Sequence, residues 1–153
     1  MSLTVVGSSH GGYYLKRVKR LIKDYEMERH ILFTGFVPYR LVPLFVNAAD
    51  VALAPYRKIV KNDVTPLKVL EYLACQKIVP SKRIPEISKR FGNLVNFYEG
   101  VAGLTEFLKA ISANRSDFGK KAINARENLA EYSWDVLARR YCQILESAAA
   151  SRG

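Results

Sequence analysis

A lysine lies in the first turn of a predicted helix in the stretch NDVTPLKVLEYLACQKIVP, residues 62–80. Thr65 and Pro66 are typical of a helix start, because a hydroxyl caps free amides and proline has no amide to leave unpaired. Lys68 follows where the partial positive charge of the helix N-terminus normally favours acidic residues. An anion bound between Lys68 and the first-turn amides would resolve this conflict. The stretch therefore suggests a phosphate-binding turn.

Two carboxylates near this turn have the chemistry needed to bind a sugar. Glu71 lies in the second turn, and an ionised carboxylate can accept hydrogen bonds from a vicinal diol such as that of ribose. Asp63, eight residues earlier, can face the same cleft and hold sugar hydroxyls. Simpler explanations stay open: Lys68 can reach solvent or pair with Glu71, Glu71 can be a surface residue, and Asp63 can be a turn residue.

Apolar runs alternate with amphipathic helical patterns along the chain. Predicted strands cover residues 3–6, 31–38, 51–55, 77–80 and 94–98, and predicted helices 15–25, 40–48, 66–74, 84–91, 101–113, 116–129 and 133–149. This alternation predicts an α/β fold, a Rossmann-like doubly wound parallel sheet with helices on both faces, in one domain spanning residues 1–153. Ligands of such folds bind at the carboxyl ends of the strands. We expect Trp134, at the start of the last helix, to pack in the core.

The composition is that of a globular domain, with 49% hydrophobic and 25% charged residues and a net charge of +10. Residues 57–90 hold nine basic and three acidic residues, so this segment carries a surplus of six positive charges. Such a field favours an anionic partner, which can be a nucleotide, a nucleic acid or an acidic lipid. No apolar run approaches the roughly 20 residues that span a bilayer, and we predict cytoplasmic localisation. Two cysteines and two histidines suggest neither a disulfide framework nor a zinc site.

The order of these segments resembles the C-terminal, donor-binding domain of the retaining GT-B glycosyltransferases known as glycosyl transferases group 1. TPLKVLEYLACQKIVPS is similar to the donor-site signature of that family, and ILFTGFVP to its Phe-Thr-Gly-Phe-Val-Pro segment. VVGSSHGGYYLKRVKRL resembles its glycine-containing strand-to-helix turn, and AINARENLAEYSWDVLARRYCQIL its C-terminal helix. Gln76 departs from the pattern, because the family has glycine there, and Asp63 replaces a glutamate.

The resemblance implies a site for a nucleotide-diphosphate sugar and transfer with retention of configuration. It implies that Glu71 binds the ribose and that Asp63 and Lys68 are the catalytic candidates. The other implied substrate-binding residues are Thr65, Pro66 and Leu67 at the diphosphate, Phe36, Val37 and Pro38 at the nucleobase, and Gly7, Ser8 and Ser9 near the phosphates or the sugar. No metal or other cofactor is expected, because helix amides and basic side chains can stabilise the leaving diphosphate.

The resemblance also implies that the first, central β-α unit and the N-terminal acceptor-binding domain are absent. We therefore expect the chain to be inactive alone, whether as a fragment, as a subunit completed by a partner, or with a rearranged sheet. One alternative function is a non-catalytic nucleotide-binding or regulatory module with the same fold. A basic nucleic-acid-binding protein is a weaker alternative, since no recognised module is present and no specific nucleic acid is expected. Association with the inner face of a membrane stays open.

Overall fold

The computed structural model describes residues 1–8, 12–56, 67–123 and 125–151, and at 126 and 127 only the backbone. Its strands are short: β1 (Leu3–Val6), β2 (Ile31–Gly35), β3 (Pro80–Lys82) and β4 (Asn96–Tyr98). The helices are α1 (Gly12–Asp24), α2 (Val42–Ala48), α3 (Leu67–Ala74), α4 (Pro85–Phe91), α5 (Gly100–Ala113), α6 (Arg115–Ile123), α7 (Ala125–Asn128) and α8 (Trp134–Ala150). Single 3₁₀ turns cover Tyr39–Leu41 and Ala130–Tyr132.

The chain divides into two compact units, Met1–Ala48 and Ala49–Gly153. In the first unit β1 and β2 pair in parallel, with an irregularity at Thr34 that leaves this residue without a partner in the register. Ile22 of α1 and Val46 of α2 are buried. This unit therefore contains a β-α-β segment. Its helix α1 supplies the long connection that two parallel strands require.

The sheet of the second unit is built on β3 and β4, which pair in parallel. The apolar run predicted as a strand at 51–55 joins it through isolated parallel bridges at Val51 and Ala54. The Ala54 amide donates to the Pro80 carbonyl at 2.9 Å, beside β3. The run is therefore correctly predicted as an extended, parallel segment, although it is too irregular to count as a full strand.

The core of the second unit lies where α3 and α4 meet this sheet. Its members are buried apolar side chains in contact with one another, and the largest fully buried ones are Phe91, Leu73, Ile87, Val69 and Val79. The Phe91 ring also lies 5.5 Å from the ring of Tyr132, measured between centroids. Burial of Val69 and Leu73, one turn apart, fixes which face of α3 points outwards.

The last helix begins as predicted, but Trp134 is not a core residue. The Val136 amide donates to the Ser133 side-chain oxygen at 3.4 Å, which caps α8. Trp134 is 85% exposed, so the prediction that it packs in the core is wrong. Val136 is the half-buried residue of this turn, and residues two apart lie on different sides of a helix.

The fold class predicted from the sequence is confirmed: strands alternate with helices, and the strand pairs described above are parallel. Among the described residues the strands form two separate parallel sheets, ordered β1-β2 and β3-β4. The division of the chain into one domain stays a prediction.

Candidate functional site

The lysine-bearing turn is the start of α3, and it contains no acidic residue. Val69 and Leu73 anchor the helix in the core, which leaves Lys68 exposed and Glu71 half-buried. Side chains three residues apart share one face of a helix. Lys68 and Glu71 therefore lie side by side, next to first-turn amides that have no partner within the helix. This arrangement can hold an anion and a hydroxyl-bearing group together.

Tyr56, which was not among the residues predicted for the site, lies next to this turn. The Lys68 Nζ atom lies 5.1 Å from the centroid of the Tyr56 ring, within range of a cation–π attraction. Tyr56 follows the extended run at 51–55, and its amide donates to the Ala54 carbonyl at 3.1 Å. The carboxyl end of that run therefore meets the start of α3, where ligands of parallel α/β folds bind.

Two tyrosines beside Glu71 are held in their neutral form. Burial raises the pKa of Tyr56, and the nearby Tyr72 and Glu71 raise it further. Burial also raises the pKa of Tyr72, with the Glu71 charge as the second cause. Glu71 is thus close enough to both rings to oppose their ionisation. Among the described residues the buried Tyr56 hydroxyl has no hydrogen-bond partner, so this phenol is a neutral group of the site.

In the first unit, the carboxyl ends of β1 and β2 lie together. The Gly7 amide donates to the Gly35 carbonyl at 3.0 Å. Gly7 and Gly35 have φ angles of +125° and +69°, a region that glycine enters without the cost of a side chain. Both strands therefore turn at one edge, where the Phe36 side chain is 78% exposed. Of the other residues predicted for the site here, Ser8 and Pro38 are exposed and Val37 is half-buried.

The structure thus brings the predicted residues together in two groups, one in each unit. The first unit gathers the residues predicted at the nucleobase and phosphates, Gly7, Ser8, Phe36, Val37 and Pro38. The second unit gathers Leu67, Lys68 and Glu71 on α3. Leu67 is 70% exposed, as a residue lying against a ligand can be. The remaining predicted residues, Ser9, Asp63, Thr65 and Pro66, lie outside the described residues, and the roles of all these residues stay predictions.

The described part of the chain has neither a cluster of metal ligands nor a helix that could cross a membrane. Within it, no three histidine, cysteine, aspartate or glutamate side chains gather as a metal site would require. No helix in the same residues has both the length and the apolar character to cross a membrane.

Comparison with known proteins gives a family and a fold. The sequence matches the family described as Glycosyl transferases group 1 over residues 1–123, and no curated protein matches it. The structure of HepE from Anabaena in complex with UDP superposes with a TM-score of 0.77 at 18% identity, covering 96% of this chain and 41% of that one. A HepE structure in complex with UDP-glucose gives a TM-score of 0.75 at 18% identity, with 95% and 41% covered.

Another solved structure has the same fold over a similar share of its chain. Sucrose-phosphate synthase from Thermosynechococcus elongatus gives a TM-score of 0.81 at 18% identity, covering 98% of this chain and 39% of the synthase chain. At this level of identity the similarity concerns the fold. The chain spans about two fifths of the length of these solved structures.

Proposed function

The chain belongs to the glycosyl transferases group 1 family, and from this premise we propose that it is the donor-binding part of a retaining glycosyltransferase. The donor is a nucleotide-diphosphate sugar, whose sugar passes to an acceptor with its anomeric configuration kept. One observation carries the proposal: Lys68 and Glu71 share a face of α3 at a helix start without acidic residues. The UDP and UDP-glucose bound to HepE support a nucleotide sugar as donor.

In this proposal the start of α3 receives the diphosphate. When the bond from the anomeric carbon to the diphosphate breaks, negative charge grows on the leaving oxygen. The Lys68 ammonium and the first-turn amides of α3 are fixed positive groups that stabilise this charge. The same groups make a metal unnecessary, so chelation of divalent cations should leave nucleotide binding unchanged. Asp63, which lies outside the described residues, keeps its proposed role of contacting the donor sugar.

The family resemblance assigns the nucleoside to further residues, one group in each unit. Glu71 accepts hydrogen bonds from the two ribose hydroxyls, and its half-buried position strengthens such bonds by limiting competition from water. The exposed ring of Phe36, with Val37 and Pro38, offers an apolar surface to the flat nucleobase. Phe36 carries no base-specific donor or acceptor in its side chain, so uracil and guanine nucleotides are both candidates.

The experiment that tests this function is calorimetric titration of the chain with UDP and with GDP, repeated on Glu71→Ala. Hydrogen bonds to a charged group contribute about 1.5–3 kcal/mol, so we expect the variant to bind the preferred nucleotide about ten- to a hundredfold more weakly. The control is Glu106→Ala, which removes an exposed carboxylate from α5. Equal affinity in the wild type and Glu71→Ala would remove Glu71 from the ribose role, and no binding of either nucleotide would remove the proposed function.

The acceptor is proposed to bind outside these 153 residues, in an N-terminal domain or a separate subunit. The support is the size of HepE and sucrose-phosphate synthase, of whose chains this one spans 41% and 39%. A non-catalytic nucleotide-binding or regulatory module with the same fold remains the second candidate. Cytoplasmic localisation, with the inner membrane surface as an alternative, stays a prediction from the sequence.

A further inference from the structure

A cavity of about 580 Å³ lies in the second unit, and none of the residues assigned to the donor lines it. It is bordered by the segment after β3, by α4, by β4 and by α5 and α6. The side chains that matter for its chemistry are two basic residues, three phenylalanines and two small polar residues: Arg83, Lys121, Phe97, Phe107, Phe118, Ser88 and Asn96. None of them belongs to the α3 turn, so the proposed function leaves this cavity unexplained.

The cavity is positively charged. Arg83 and Lys121 both line it, and the lining contains no aspartate or glutamate. Four acidic residues lie close in sequence to lining residues, but none of them lines the cavity. Glu86 pairs with Arg90, and Asp117 accepts a hydrogen bond from Asn114 at 2.5 Å. Glu99 and Glu106 are exposed. Two cations without a lining carboxylate favour an anionic occupant.

One wall of the cavity is aromatic. The Arg83 guanidinium carbon lies 4.3 Å from the centroid of the Phe97 ring, a stacking that fixes the cation beside an apolar surface. Phe107 and Phe118 meet edge to face with centroids 5.2 Å apart. These rings are half-buried and offer apolar area and ring edges to a flat partner. The wall therefore suits a planar apolar group.

Two polar groups of the lining residues have unused hydrogen-bonding capacity. The Ser88 hydroxyl oxygen and the Asn96 amide nitrogen are buried, and neither has a hydrogen-bond partner among the described residues. Buried polar groups are nearly always paired, and an unpaired one calls for an explanation such as a ligand or an ion. After a side-chain rotation both groups can donate a hydrogen bond to an acceptor oxygen, and an anion supplies such oxygens.

We propose that this cavity binds a small organic anion that carries a planar apolar group, such as an aryl phosphate or aryl carboxylate. Arg83 and Lys121 bind the anionic group, and Ser88 and Asn96 supply further donors to it. The planar group packs against Phe107 and Phe118. The site is independent of the nucleotide at α3, so a ligand here and a nucleotide there bind at the same time.

The test is titration of the full chain, saturated with UDP, with phenyl phosphate, inorganic phosphate and benzyl alcohol, followed by NMR shifts of backbone amides. Because charge and ring act together, we expect phenyl phosphate to bind at least about tenfold more tightly than either of the other two probes. The largest shifts are expected at Asn96, Phe97 and Lys121. If inorganic phosphate binds as tightly as phenyl phosphate, or phenyl phosphate does not bind, the proposal is wrong.

Matched variants separate this cavity from other basic surfaces. Arg83→Gln combined with Lys121→Gln should weaken phenyl phosphate at least about tenfold, whereas Lys68→Gln, at the proposed donor site, should leave it unchanged. Phe118→Leu should weaken phenyl phosphate but not inorganic phosphate. An unchanged affinity in the double variant would overturn the proposal, and UDP affinity measured on the same variants reports separately on the proposed function.

Discussion

Lys68 brings a positive charge to a helix end where the backbone already carries one. In the structure this charge is partly balanced by the face of the Tyr56 ring, 5.1 Å away. At an exposed site such a contact contributes about 0.5–1 kcal/mol, too little to tie the ammonium down against a diphosphate. The contact therefore directs Lys68 towards the carboxyl end of the 51–55 run without blocking its use by a ligand.

Spacing within one helix explains why Lys68 and Glu71 could be selected from the sequence. Residues three apart share a face in any α-helix, so their proximity needed no knowledge of the tertiary structure. Tyr56 could not be found in this way, because its contact with Lys68 joins residues that are twelve apart. The signal that could have indicated it is its position directly after an apolar run, at the edge where ligands bind.

The hydroxyl of Tyr56 supports a prediction about pH. The pKa of Tyr56 is raised by burial and by Tyr72 and Glu71, so the folded state keeps the neutral phenol. Below about pH 10, the ordinary pKa of tyrosine, both folded and unfolded states hold this proton, and the stability contribution is constant. As the pH rises towards the raised folded pKa, the unfolded state loses the proton first and stability is lost. Tyr56→Phe should therefore flatten the decline of the unfolding free energy above pH 10.

Urea unfolding of the wild type and Tyr56→Phe from pH 7 to 11.5 measures this effect. At pH 7 we expect the variant to be unchanged or more stable by about 1 kcal/mol, because the hydroxyl that it lacks is buried with no hydrogen-bond partner among the described residues. Tyr25→Phe serves as the control, since the Tyr25 side chain is 74% exposed. If both variants follow the wild-type curve above pH 10, burial of the Tyr56 hydroxyl has no energetic consequence.

The C-terminal end of α3 has a backbone geometry that suits glycine, although this chain has Gln76 there. The Lys77 amide donates to the Tyr72 carbonyl at 3.0 Å, and the Gln76 amide to the Leu73 carbonyl at 2.9 Å. This pair of bonds is a Schellman motif, whose penultimate residue adopts the left-handed conformation. Gln76 indeed has a φ of +54°, at the position where the resemblance expects glycine.

Replacing Gln76 by glycine should therefore stabilise the protein. A left-handed conformation costs a residue with a side chain roughly 1–2 kcal/mol, and glycine avoids this cost. Two losses oppose the gain: the variant has more backbone entropy to lose on folding, and it lacks the 3.4 Å hydrogen bond from the Gln76 side chain to the Ile123 carbonyl. We expect a net gain of up to about 1 kcal/mol in unfolding free energy. Gln143→Gly, within α8, is the opposite control and should cost about 1 kcal/mol. A loss of stability in both variants would show that the Ile123 contact outweighs the strain.

Periodicity predicted the helices of this protein well and their burial less well. The predicted helices at 101–113 and 133–149 agree with α5 and α8 to within one residue at each end. Caps and periodic patterns are local, so they are legible in the sequence. The burial of α8 is not local: Trp134 and Ile144 are 85% and 65% exposed, although both are apolar. Whether an apolar residue is buried depends on which other elements pack against its helix, and the sequence of the helix alone does not determine this.

For the whole molecule, the alternation of strands and helices predicted parallel pairing correctly, but not how the strands are divided. Pairing of β1 with β2 follows from the helix that connects them, which a parallel pair requires. The division into the sheets β1-β2 and β3-β4 depends on contacts distant in sequence. In the first sheet all four residues of β1 are exposed, whereas Pro80 and Ser81 of β3 are buried. The more apolar strand, LTVV of β1, is thus the exposed one, and PSK of β3 is the covered one, so apolar composition alone gives the wrong order of burial.

We expect this chain to bind the donor nucleotide sugar without transferring the sugar. The residues proposed to bind the donor belong to this chain, some on α3 of the second unit and others at the carboxyl ends of β1 and β2 in the first. An acceptor needs a surface that faces the anomeric carbon, and we place that surface outside the chain, which spans 41% of the length of HepE. A bound donor without an oriented acceptor lacks the proximity that lowers the barrier by about 7–11 kcal/mol in favourable cases.

We therefore expect the isolated chain to bind the nucleotide that calorimetry selects and to transfer no sugar. Incubation with UDP-glucose or GDP-mannose and a panel of sugar acceptors, followed by assay of released nucleotide, measures this directly. The same assay on Glu71→Ala gives the background, because that variant should bind the donor weakly. Nucleotide release above this background that depends on an acceptor would show that the chain carries its own acceptor site. Binding without release would instead direct the search to a second domain or subunit, whose addition should restore turnover.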